Sequence, residues 1–101
     1  MHGEAKWHYI LRVPYGWTPA KRASNIAKHG VDFLAMDGFD WTTALVRGDT
    51  RHGYGEVRLA ALGSIRDRMH HVTFTIRRTT VWIISLRKAS NKEIAGYEGE
   101  T

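Results

Sequence analysis

The ten residues from Arg47 to Glu56 read Arg-Gly-Asp-Thr-Arg-His-Gly-Tyr-Gly-Glu and concentrate groups that could do chemistry. Their three glycines let a backbone approach a ligand closely, while the arginines offer phosphate clamps and His52 and Glu56 can titrate. A polar hairpin loop whose glycines serve only the turn would have the same composition, so the surroundings must decide. Arginine stays protonated at neutral pH and cannot act as a base, which suits Arg58, Arg77 and Arg87 to holding a phosphate. Arginines at strand ends are also commonly just solvated. His52 and Glu56 are the loop's titratable side chains, and a glutamate beside Arg51 and Arg58 commonly forms a structural ion pair.

Other chemistries find less support. The chain has no cysteine, which excludes disulfides, thiolate metal sites and cysteine nucleophiles. His70 and His71 are adjacent and would face opposite sides of a strand, and His29 and His52 lack ligand spacing, so no metal or cofactor is expected. No glycine-rich stretch follows a strand and opens a helix as a nucleotide-binding loop would, and the aromatic residues form no regular base-stacking platform.

Fifteen Lys and Arg against ten Asp and Glu give a net charge of +5 and a pI near 9.9, which favours polyanionic partners. From Arg47 to Lys88, eight arginines and one lysine face three carboxylates, a local balance of +6. At 101 residues there is room for one core. The expected division is an extension or edge strand over 1–14 and a single domain over 15–101. No apolar run approaches the ~20 residues of a membrane span and the start lacks a signal-peptide pattern, so the chain reads as soluble and cytoplasmic.

The elements that must position these groups follow from local signals. Tyr9 to Val13 alternates weakly before Pro14 and could add an edge strand. Thr18 as N-cap, Pro19 at the first helical position and Gly30 as C-cap predict a helix over 19–29, with Ala20, Ala23, Ile26 and Ala27 at helical spacing and Lys21, Arg22 and Lys28 on its wet sides. A short second helix from Asp32 to Gly38 would turn Val31, Phe33, Leu34, Met36 and Phe39 towards a sheet. Four strands are predicted over 43–46, 56–62, 69–76 and 81–86, joined as an antiparallel meander. Ser90 and Glu93 form a capping-box pattern that opens a last helix through about Tyr97, weakened by Gly96.

Within the third strand, Thr73, Thr75 and Arg77 alternate against Val72, Phe74 and Ile76, giving one polar, basic face and one core face. Regular alternation puts Val81, Ile83, Ser85 and Arg87 of the fourth strand opposite Trp82, Ile84 and Leu86. Three turn residues, 77–79, would place Arg77 and Arg87 on one face, and two would separate them. The fold class is therefore α+β: two N-terminal helices on a four-stranded antiparallel sheet, five-stranded if the edge strand forms, and a short C-terminal helix.

Four blocks carry a resemblance. Trp17-Thr-Pro-Ala-Lys21, then Asn25-Ile-Ala-Lys28-His29-Gly30-Val31-Asp-Phe33, then Arg51-His-Gly-Tyr54-Gly55-Glu56-Val-Arg58, then Ile83-Ile-Ser85-Leu-Arg87-Lys88-Ala89 with Glu93 and Tyr97, closely resemble the BrnT family in order and spacing. Two positions depart from its pattern: Thr18 stands where Asp is usual and Trp82 where Arg is usual. The resemblance implies a toxin of a type II toxin-antitoxin system with a RelE-like ribonuclease fold that cuts RNA without a metal. It implies a BrnA-type antitoxin with a ribbon-helix-helix end as partner in a hetero-oligomer, with operator DNA reached only through that complex. On this reading His52, Glu56, Arg58, Arg77 and Arg87 carry catalysis, and Lys28, His29, Arg51, Tyr54, Ser85 and Lys88 contact RNA. Lys28 and His29 could equally dock the helix end or meet the antitoxin. A module that binds RNA or DNA without cutting it, or a degenerate toxin kept as an antitoxin-binding co-repressor, would use the same basic sheet.

Overall fold

A computed structural model describes residues 14–49 and 56–100. Helix α1 spans Pro19–His29: the Thr18 side chain accepts a hydrogen bond from the Lys21 amide, and Gly30 closes the helix in the left-handed conformation at φ 69°. Asp32 caps the next segment by accepting from the Leu34 amide. That segment, Phe33–Gly38, winds as a 3-10 helix, so Phe33 and Met36, three residues apart, fall on one buried side while Leu34 stays exposed.

Among the described residues the sheet has five strands: β1 (Tyr15–Gly16), β2 (Leu45–Asp49), β3 (Arg58–Ile65), β4 (Arg68–Arg77) and β5 (Thr80–Lys88), in the order β1-β5-β4-β3-β2. β2 through β5 form the expected antiparallel meander, but the sheet is mixed because β1 pairs parallel to β5. Here the expectation of two helices ahead of an all-antiparallel sheet is corrected: a strand precedes α1, and Pro14 holds it at the edge through its carbonyl, which accepts from the Val81 amide. Proline lacks an amide but keeps this acceptor, so it can end an edge strand at no cost. The weaker candidate over 9–13 lies outside the described residues. Helix α2 spans Asn91–Glu100, longer than the predicted end near Tyr97, and opens with the reciprocal Ser90–Glu93 box. Among the described residues no helix is long and apolar enough to cross a membrane.

The core lies between the sheet and the segment 31–39. Val31, Phe33, Met36 and Phe39 pack on Ala61, Val72, Phe74, Ile83 and Leu86. Trp41 stacks edge-on to Phe74 with ring centroids 5.3 Å apart and donates its indole N–H to the Tyr15 hydroxyl at 2.6 Å. The core admits no extra methyl at Gly63, where a Cβ would stand 2.5 Å from the Phe39 ring.

Helix α1 differs from expectation in what it buries. Its apolar spacing suggested Ile26, but Ile26 is exposed and Asn25 is buried. The cause is the edge of β5 beyond Trp82, where β1 stops and no other strand pairs it among the described residues. The Asn25 amide donates to the Leu86 and Val31 carbonyls at 2.6 and 2.9 Å and accepts from the Leu86 amide at 3.1 Å, taking the place of a neighbouring strand. Arg22 keeps its expected solvent-accessible side and there pairs with Asp32, whose carboxyl its guanidinium holds down at about 2.

Candidate active site

Two neighbouring strands share a face wherever their residues pair directly, so the strand register shows what meets on the side away from the core. Thr73 pairs Ser85, His71 pairs Arg87, and Asp49 pairs Arg58. The turn between β4 and β5 has two residues, Arg78 and Thr79, since Arg77 pairs Thr80. Two turn residues were expected to separate Arg77 from Arg87, and regular alternation would indeed do so. A β-bulge intervenes: Phe74 pairs Ile83 while Thr73 pairs Ser85, leaving Ile84 extra. Val81, Ile83 and Leu86 therefore enter the core, and Trp82, Ser85 and Arg87 stand on the outer face with Arg77. The predicted grouping of Val81 and Ile83 with Ser85 and Arg87 is corrected by that one residue.

On this outer face Asp49, Arg58, His71, Thr73, Ile84, Ser85 and Arg87 line a cavity of about 290 Å³. Three predicted residues, Arg58, Ser85 and Arg87, meet there. His71, Thr73 and Asp49 join them: Thr73 was expected on the polar face of its strand, His71 was weighed only as a metal ligand, and Asp49 had no role assigned. Their signal was the polar alternation on β4 and the cross-strand register, which one sequence does not supply. Arg87 Nη1 and Nη2 each bond Glu93 of α2 at 2.8 Å. That fork, with Ser90's amide, pulls the Glu93 carboxyl down to about 2 against the cost of partial burial. Glu93 thus closes the helix cap and holds a wall of the cavity at once.

A second cavity, of about 160 Å³, is lined by Lys21, Ser24, Asn25, Lys28, His29, Ile84 and Ser85. Lys28 and His29 lie here, across the bulge from Arg58 and Arg87. Lys88 belongs to neither: it pairs His70 on the opposite face from Arg87 and is exposed. Arg77 and Glu56 pair with each other through Nη2–Oε1 at 2.8 Å and Nε–Oε2 at 3.1 Å, which holds the Glu56 carboxyl below its usual range. Arg77 also sits 5.1 Å over the Trp82 ring, so positive charge stands above that indole. Arg51, His52 and Tyr54 lie outside the described residues. Among the described residues no three His, Cys, Asp or Glu side chains gather as a metal site.

Comparison with curated proteins gives no match. A family model described as "Ribonuclease toxin, BrnT, of type II toxin-antitoxin system" matches residues 17–93, from the tryptophan that precedes α1 to the glutamate that holds Arg87. The match takes in both cavities and the sheet between them, and the chain belongs to the BrnT family of ribonuclease toxins of type II toxin-antitoxin systems.

Proposed function

We propose that this chain is a metal-independent endoribonuclease whose active site is the larger cavity of the outer face. The observation that carries the reading is the convergence of Arg58, Arg87, Ser85 and His71 in one cavity of a BrnT-family chain. RNA cleavage without a metal needs a base for the 2′-hydroxyl proton, positive charge for the crowded phosphorane, and an acid for the departing 5′-oxygen. The freed 2′-oxygen attacks phosphorus, the bond to the 5′-oxygen breaks, and the product strand ends in a 2′,3′-cyclic phosphate. Arg58 and Arg87 hold the non-bridging oxygens, and Ser85 donates to one of them. His52 and His71 divide the two proton transfers; His52 follows Asp49, a wall of the cavity, by three positions in the chain. Glu56 keeps Arg77 in place and acts at a distance from the reacting atoms.

A BrnA-type antitoxin would silence this site by laying an acidic or extended segment over the arginine-rich face, and operator DNA would be met only through that complex. The second reading is an RNA-binding or antitoxin-binding subunit without cleavage, favoured by the double hold of Glu93 on Arg87. Controlled expression of the chain alone in bacteria, with total RNA followed on a gel, separates the two. Growth arrest with RNA loss, abolished in well-expressed His52→Ala and Arg87→Ala variants, is the expected result. Normal growth with intact RNA and folded protein would reject the ribonuclease reading.

A further inference from the structure

The smaller cavity differs in charge from the surroundings of four arginines. Arg22, Arg47, Arg77 and Arg87 each pair with a carboxylate, to Asp32, Glu100, Glu56 and Glu93 respectively. The smaller cavity has Lys21, Lys28 and His29 on its walls and no acidic residue among them. Neither lysine has a carboxylate partner among the described residues. Lys21, Ser24 and Lys28 recur at three- and four-residue spacing and so share one side of α1. The Asn25 amide locks that side against the β5 edge at Leu86, which fixes the lysines beside Ser85 without their having to pack. Ser85 and Ile84 line both cavities, so the bulge is a common wall between the two.

Unpaired lysines repel one another and gain most from a shared anion. A volume of about 160 Å³ admits the equivalent of roughly five waters, which is room for a phosphate group. The ligand that reaches both cavities at once is a chain of regularly spaced phosphates. We propose that the α1–β5 cleft is a second phosphate subsite of the RNA track: with one phosphodiester between Arg58 and Arg87, the strand crosses Ser85 and a neighbouring phosphate sits between Lys21 and Lys28. This rests on the RNA reading of the larger cavity and adds Lys21 and Ser24 to it. Ser24 offers a hydroxyl donor, and Lys28 lies in the last turn of α1, where the helix dipole favours positive charge.

The test is binding of a short 2′-O-methylated RNA, which cannot be cleaved, followed by fluorescence anisotropy over a range of salt. The Lys21→Gln, Lys28→Gln double variant should bind about tenfold more weakly, as expected for losing charged hydrogen bonds. Its plot of log affinity against log salt should be shallower by about 0.7, one phosphate on a single strand. Replacing phosphates one at a time by neutral methylphosphonate should reveal a single position that weakens the wild type about tenfold and leaves the double variant unchanged. A double variant that matches the wild type in affinity and salt slope overturns the subsite. So does unchanged RNA binding with weakened binding of a protein antitoxin, which would assign the cleft to that partner. If the wild type does not bind RNA at all, the reading of the larger cavity fails as well.

Discussion

Arg77 and Arg87 stand on the same face of the same hairpin, and each is clasped by a carboxylate through two hydrogen bonds. Their surroundings separate them. Arg77, at the turn, has a side chain 54% exposed, a partner across the sheet end and an indole beneath it. Arg87 is 32% exposed, faces His71 across the strand pair and helps wall a cavity with Arg58 and Ser85. An exposed ion pair in open solvent is worth ~0–1 kcal/mol and holds a turn at best. The same fork within a cavity holds a guanidinium where a phosphate would meet a second one. Position on the hairpin, rather than residue type, sets the two arginines apart: one stands at the turn and the other walls the cavity.

The sharpest way to break this contrast is to remove the clamp. Arg58→Ala should cut the initial rate of RNA cleavage by about 10²–10³, the usual cost of an electrostatic donor to the transition state, with an unchanged far-ultraviolet spectrum. Next in size is the support behind Arg87. Asn25→Ala leaves the buried Leu86 amide and two carbonyls without their partner, and should lower stability to urea by about 2–4 kcal/mol. Gly63→Ala should cost about 1–3 kcal/mol by pushing a methyl into Phe39, while the outer face keeps its arrangement because Gly63 pairs His70 on the core side. Smallest is the response to acid. The folded Glu93 carboxyl is depressed to about 2 from 4.5, so the docking of α2 on Arg87 is fully supported above the usual glutamate range and is lost as pH falls through 2. Tyr97 resonances, which report α2 through its hydroxyl bond to the Thr43 carbonyl, should hold their shifts until pH nears 2. A transition centred near 4.5 would contradict the account.

What could be read in the sequence was what is local. Thr18, Pro19 and Gly30 bracket α1, and Ser90 with Glu93 opens α2, because capping is decided within a few residues. The alternation Val72 to Arg77 correctly divided β4 into a core and a polar face, although Ile76 at its end is exposed. Long-range pairing hid the rest. The two residues of β1 join the sheet through a parallel contact with Val81 and Trp82, some 65 positions away, and no periodicity is possible in so short a strand. Asn25 looks like any polar helix residue until the edge of β5 beyond Trp82 is known. Ile84 reads as one more strand position, yet as the bulge it decides the face of Arg87. At the site, the family blocks brought Arg58, Ser85 and Arg87 forward, while His71 was masked by its neighbour His70, with which it cannot share a ligand.

The most direct measurement is a time course of RNA cleavage by the purified chain in the presence of a metal chelator, with Arg87→Ala and Arg77→Ala alongside. Cleavage by the wild type that persists with chelator, falls about 10²–10³ in Arg87→Ala and changes little in Arg77→Ala is the predicted result. Equal losses in the two variants, or cleavage that the chelator abolishes, would contradict the assignment of the cavity at Arg87 as a metal-independent active site.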